Sequence, residues 1–329
     1  MTAPNRSLRL EGLEPDNLLA FLALLGLLRV LETARPAWYP RAAWDVESPP
    51  LRPVLVVAEP KTPTAVCEAA AEGAAILADD YHFPENAGDD AKPQHDLNYT
   101  KQTARELLQD AATTQDRKRA DVWSALMCDA AAKEGKIEAT PLCLLFGQGH
   151  QHFLDRLATV PRTEAPPLRG RGKKAVNLAA AETLHEALFE SWTRRDPTPG
   201  FRWDPAEDVR YALRAGNPSG EKSTTQHGAN RLAALGLPVL TATPVQRGER
   251  VRLQVLGATF ERGEFAFHWP IWKDPTSLAG VCALLGHPNL AKDPRALAYL
   301  GVLQVRRARR IGVGKFMNFT RADPLGAAG

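Results

Sequence analysis

The sequence predicts an α+β (mixed α/β) fold, with a helix-rich N-terminal half and a mixed strand and helix C-terminal half. Three observations lead there. Ala- and Leu-rich stretches of helical character dominate the chain up to Thr193. After Phe201 the character changes to segments of period-two alternation bounded by Gly and Pro. Short helical stretches return among those strands, and no internal repeat appears. With 329 residues, 44% hydrophobic and 24% charged, the chain can bury a sizeable core.

The elements follow in order. "SLRLEGL" alternates apolar and polar residues and reads as a short edge strand. Pro15, Asp16 and Asn17 supply a turn and an N-cap before a helix from Leu18 to about Thr33. That helix is apolar nearly all round, so it belongs at the centre of the core. Its apolar run, about 15 residues, is shorter than the ~20 a bilayer span needs. Arg29 falls inside it and no small-residue cleavage site follows, so it reads as a buried helix rather than a signal or membrane segment. "LRPVLVVAEP" is a second strand, "TPTAVCEAAAEGAAILADD" an Ala-rich helix, and Tyr81 to Leu97 an aperiodic loop. Helices are expected near 98–113, 118–134, 149–159 and 174–193.

"PRTEAPPLRGRGKK", residues 161–174, has too much Pro, Gly and Arg for regular structure and reads as a basic linker or flap. It separates a helix-rich domain, 1–160, from a mixed domain, 175–329; one domain with a protruding flap is the other arrangement. "LPVLTATPV", "ERVRLQVLGATF" and "EFAFHWPIW" are strands, helices lie near 276–286 and 293–300, and "YLGVLQVRRARRIGVGKFMNFT" ends in β-type alternation with a basic run.

Net charge is only +3, but it is unevenly spread. Residues 295–329 hold seven Lys/Arg against one acid, and 161–174 five against one, which leaves the remainder at −7. A surface divided in this way offers basic patches to phosphate. The four cysteines, at 67, 128, 143 and 282, form no CxxC pair. They read as buried free thiols, which suits a reducing cytoplasm.

Several stretches could carry chemistry. His95-Asp96 is an adjacent imidazole–carboxylate pair with His82 upstream, a combination that can bind a divalent metal and activate water in a nuclease. The short spacing and loop context favour a solvated loop instead. His150 and His152 stand two apart at a helix start and so point to different faces. No GxSxG elbow and no phosphate-binding Gly-rich loop followed by Lys-Ser/Thr is present, so nucleophilic hydrolysis and nucleotide binding have no support. Between Arg202 and Leu240, a turn-rich loop precedes a helix beginning at His227. Arg210 and Arg214 share a face at helical spacing, and Lys222, Asn230 and Arg231 can gather at the helix start, a place that holds phosphate oxygens. In "QVRRARRIGVGKFMNF", Arg306, Arg307, Arg309, Arg310 and Lys315 are interleaved with aromatics, as suits backbone tracking and base stacking. In a strand, Arg306 and Arg310 share one face and Arg307 and Arg309 the other. Arg169, Arg171, Lys173 and Lys174 of the basic segment complete the candidate nucleic-acid set. No catalytic residue, metal ligand or cofactor is assigned.

"LEGLEPDNLLAFLALLGLLRVLE", "RWDPAEDVRYALRAGNPS", "HGANRLAALGLPVL" and "FHWPIW" together resemble a family of type I-G (formerly I-U) CRISPR-associated proteins. That family is linked to the CRISPR helicase-nuclease and is similar in style to the effector large subunit. The resemblance spans both ends and the middle in order; roughly 155–200 has no counterpart in it. It implies a non-enzymatic, cytoplasmic subunit of an RNA-guided antiviral complex, with guide RNA and/or target DNA, other effector subunits and the helicase-nuclease as partners, and no membrane. In such complexes base pairing reads sequence, while protein holds backbone and often a short flanking motif. A metal-dependent nuclease and a protein adaptor are the alternative functions.

Overall fold

The structure, a computed structural model, describes residues 5–88, 90–114, 117–145, 152–167, 174–193, 198–207, 224–261, 264–313 and 316–325. It is an α+β fold. Strand β1 (Asn5–Arg9) is an edge strand, as its alternation predicts, in an antiparallel sheet of order β1-β3-β2 with β2 (Arg41–Asp45) and β3 (Arg52–Lys61). β2 was not expected; its two central alanines carry no strand signal, and it exists because β3 and the second sheet flank it. Helix α1 (Leu18–Ala34) begins where Asn17 Oδ1 accepts from Leu19 N, 2.9 Å. Its faces are all covered: α2 (Pro63–Ala78) and α7 (His227–Gly236) pack against it, and the ring of Phe21 stacks on Trp269 at 5.3 Å. A Cβ on Gly26 would overlap the carbonyl of Leu232, and one on Gly236 that of Leu22, so α1 and α7 approach as closely as they do only because both positions lack a side chain.

Helices α3 (Lys101–Thr113) and α4 (Arg117–Leu126) form a pair. The helix expected over 118–134 therefore stops at Leu126. Glu134 (φ 53°) and Gly135 (φ 80°) instead turn a small hairpin, β4 (Ala132–Lys133) and β5 (Lys136–Ile137). α5 (Phe153–Thr159) and α6 (Ala180–Phe189) are shorter than the helices expected at 149–159 and 174–193. Leu237–Val239 and Pro294–Leu300 are 3-10 turns with proline in their first turn, where a strand and an α-helix were expected.

β6 (Ala242–Arg247) and β7 (Arg250–Val255) form a two-stranded ribbon. β8 (Ala258–Glu261), β9 (Glu264–Trp272), β10 (Val302–Val313) and β11 (Phe316–Phe319) make the second antiparallel sheet, order β11-β10-β9-β8, with β12 (Asp323–Leu325) also pairing β10. α8 (Leu278–Leu285) is capped by Ser277. The sheets meet where Ala42 and Thr276 exchange backbone bonds and Trp272 Nε1 donates to Ala42 O, 2.7 Å. The core does not divide at 161–174: one cluster of buried side chains runs from Leu8 to Ala322. Among the described residues no helix is long and apolar enough to cross a membrane.

The four cysteines are free, but only Cys67 and Cys143 are buried; Cys128 and Cys282 are half-buried. Burial pushes the thiols of Cys67 and Cys143 up to about 12 and that of Cys282 up to about 11, so these three hold their protons at neutral pH.

Candidate nucleic-acid interface

The arginine run lies on β10, which pairs with β9 and brings Arg306 opposite Trp269, Ala308 opposite Phe267 and Arg309 opposite Ala266. Directly opposed residues share a face of an antiparallel pair. Arg306, Ala308 and Arg310 therefore lie on the face of the core aromatics, and Arg307 and Arg309 on the other. The consequence for Arg310 is a correction to the surface set. Its guanidinium lies 5.1 Å from the Phe265 ring centre and its Nη1 donates to Pro141 O at 3.1 Å. Burial pushes its pKa below the usual arginine range. Arg306 is half-buried and lowered by desolvation, opposed by the nearby charges of Asp16 and Asp323. Arg309 keeps 44% of its side chain exposed and sits 3.6 Å from Asp323.

Asn230 and Arg231 require a second correction. Every residue of α7 is buried, and its start is closed by Gln226, whose Oε1 accepts from Ala229 N at 2.8 Å. Asn230 Nδ2 donates to Pro199 O (2.9 Å) and Arg231 Nε to Pro161 O (2.7 Å). A ring nitrogen of His227 lies 3.0 Å from Thr163 O. Arg231 and His227 strap the beginning of the basic segment to the core, Asn230 holds the Pro199 carbonyl, and neither Asn230 nor Arg231 is open to phosphate. Lys174 is exposed. Arg169, Arg171, Lys173, Arg210, Arg214, Lys222 and Lys315 lie outside the described residues.

A buried polar cluster stands just before residue 208. Arg202 N donates to Glu207 Oε2 (3.1 Å), Asn17 Nδ2 donates to Asp204 Oδ1 (3.1 Å), and Arg156 donates to the Gly200 carbonyl. Desolvation, then the charge of Asp204, pushes the Glu207 carboxyl up to about 7, while Thr225, the backbone of Arg202 and the charge of Arg156 pull the other way. Burial likewise pushes Arg156 down to about 10. This cluster has the character of an internal support.

The surface that does display arginine was not singled out in the sequence. In the β6–β7 ribbon, Thr243 opposes Gln254, Val245 opposes Arg252, and Arg247 opposes Arg250. All six lie on one face. The reverse face carries Ala242, Leu253 and Val255, which are buried and hold the ribbon to the core. Gly248 takes φ 60° at the first position of the two-residue turn, so the ribbon closes tightly and Arg247 and Arg250 stand exposed at its tip. Arg247 and Arg252 both lie over the Phe260 ring, at 5.4 and 5.5 Å. Glu138 steadies the ribbon, with Oε1 2.8 Å from Arg252 Nε and Oε2 accepting from Leu253 N at 2.9 Å. Between this tip and the β4–β5 hairpin is an open cleft of about 660 Å³ lined by Lys133, Glu134, Glu138, Glu249, Arg250 and Arg252, among others. The signal was present in "QRGERVRLQ": a Gly turn with arginines at period two on its return strand.

The structure also joins two stretches that the sequence keeps apart. His95 Nδ1 lies 2.8 Å from Asp155 Oδ1, and His152 Nδ1 lies 3.0 Å from Asp96 Oδ1. His82 is exposed and takes no part in these contacts; His150 lies outside the described residues.

Comparison with family models, with curated proteins and with solved structures finds no match for this chain.

Proposed function

We propose that the chain is a non-enzymatic, cytoplasmic nucleic-acid-binding subunit of a type I-G CRISPR effector, holding the backbone of target DNA or guide RNA beside other effector subunits and the helicase-nuclease. The family part of this reading rests on the sequence resemblance. The binding part rests chiefly on one observation: a two-stranded ribbon with an apolar inner face and Arg247, Arg250 and Arg252 together on its outer face. Guanidinium groups grip phosphate oxygens through planar, paired donors. A two-stranded ribbon is also narrow enough to enter the major groove of a duplex. Arg309 and Lys174 add positive charge elsewhere on the surface.

The test is binding of the purified full-length chain to labelled duplex DNA, single-stranded DNA and guide RNA across a salt series, with Mg²⁺ or Mn²⁺ arms. The expected result is affinity that falls steeply with salt and no strand cleavage in any arm. Metal-dependent cleavage abolished by His95→Ala would replace this reading with a nuclease. No affinity at moderate salt would leave the adaptor.

A further inference from the structure

We propose that His95 and His152 form a binding site for a borderline divalent transition metal of the Zn²⁺ class. The site draws on the 81–97 loop and the start of α5, and it is independent of the nucleic-acid reading. Its two imidazoles are held in a crossed arrangement: Asp155, on α5, takes Nδ1 of His95, and Asp96, beside His95, takes Nδ1 of His152. Leu154 N donates to His95 O at 3.1 Å, which fixes the two segments to each other through backbone as well. A carboxylate that accepts the Nδ1–H selects the tautomer whose Nε2 carries a lone pair. That is the support a metal-bound imidazole ordinarily has.

Here two such imidazoles are neighbours. Their ring centres are 5.7 Å apart and their planes are inclined at 54°. Two imidazoles bound to one ion through nitrogen at about 2.0–2.1 Å, with a roughly tetrahedral angle between them, have centres about 5–6 Å apart. Imidazole nitrogen suits Zn²⁺, Co²⁺ and Ni²⁺, whereas Mg²⁺ takes oxygen ligands. Among the described residues no three His, Cys, Asp or Glu side chains converge as a ready-made ligand set. The two imidazoles are therefore the protein ligands in this proposal, and water completes the coordination shell of an open site. With its side chain 63% exposed, His95 leaves the ion a path from solvent. His185 is an internal control: its Nδ1 lies 3.2 Å from Glu190 Oε1, a single carboxylate-supported imidazole on α6.

The experiment titrates chelator-treated, tag-free, full-length protein with Zn²⁺ by calorimetry and with Co²⁺ by visible absorption, with Mg²⁺ in parallel. One equivalent of Zn²⁺ is expected and no Mg²⁺ heat. His95→Ala and His152→Ala should each weaken Zn²⁺ binding at least tenfold. Asp96→Asn and Asp155→Asn should weaken it about 10–100-fold, the usual effect of removing a carboxylate behind a ligand. His185→Ala should leave it unchanged. Circular dichroism without metal checks that each variant is folded, with His95→Gln and His152→Gln replacing any alanine variant that is not. Absence of Zn²⁺ binding by the wild-type chain, or binding that survives the double His95→Ala, His152→Ala change, overturns the proposal.

Discussion

Arg231 on α7 and Arg247 on the β6–β7 ribbon are close in sequence, and both sit in stretches that mix charge with apolar residues. Arg231 is 8% exposed and gives its Nε proton to Pro161 O. Arg247 is exposed, lies over the Phe260 ring, and donates to Phe260 O on β8 and to Gln254 Oε1 on β7. The difference lies in what surrounds each. α7 is enclosed by α1 and α6, so an arginine there must find a carbonyl inside the protein. The ribbon has one buried face only, and alternation sends its arginines to the other. Charge content alone therefore does not mark an interface; the share of donors left facing water does.

This contrast can be broken or sharpened by experiment. The largest expected effect is in the buried set. Arg156→Met removes the hydrogen bond to the Gly200 carbonyl and a positive neighbour of Glu207, and should lower the unfolding free energy by up to about 3 kcal/mol, as for a hydrogen bond made by a charged group. Urea denaturation measures it, and a loss below ~1 kcal/mol would remove Arg156 from the internal support. The next is pH dependence. Glu207 titrates higher folded (about 7) than unfolded (4.5), so the native state binds the extra proton between those values. Its contribution is fully present below about pH 4.5 and disappears as pH rises through about 7, a fall of roughly 3 kcal/mol. Glu207→Gln should flatten that part of the stability profile.

On the displayed side, changing Arg247, Arg250 and Arg252 together to Ala should cost less than about 1 kcal/mol of stability. It should weaken nucleic-acid binding by about 10–100-fold and reduce the slope of log affinity against log salt by about 2–3. Unchanged affinity would show that the ribbon is not the interface. The smallest effect is expected from Arg231→Ala: about 1–2 kcal/mol of stability for an internal hydrogen bond, with affinity and salt slope unaltered. A drop in affinity at unchanged stability would return Arg231 to the surface set.

Local chemistry made α1 legible to within a residue at its C-terminal end, because Asn17 caps it and the apolar run ends with it. The same is true of β1, β3 and β9, whose alternation or apolar length is pronounced. The stop of α4 at Leu126 was not legible, since Ala130–Ala132 favour helix while the Glu134-Gly135 turn and its pairing decide for a hairpin. In the candidate site, the two faces of β10 followed from period two. The burial of Arg231 did not, because its partner is a carbonyl seventy residues away in sequence. Likewise, in the sequence His95-Asp96 reads as an isolated solvated loop and His152 as part of an isolated polar helix start. Their meeting depends on where α5 packs, which no spacing within either stretch encodes.

The covering of α1 bears on how the chain is made. Gly26 waits for Leu232, Phe21 for Trp269, and the carbonyls of Pro15 and Asp16 for Trp269 Nε1 and Ala322 N. More than 200 residues separate these partners. At about 5–20 residues per second of synthesis, the faces of this apolar helix that α2 does not cover stay open for about 10–40 s after it leaves the ribosome. Nucleation from such distant contacts is slow, and the nascent N-terminus is sticky throughout that interval. The α1–α7 packing that centres the finished core is thus also a contact that can close only after more than two thirds of the chain has been made.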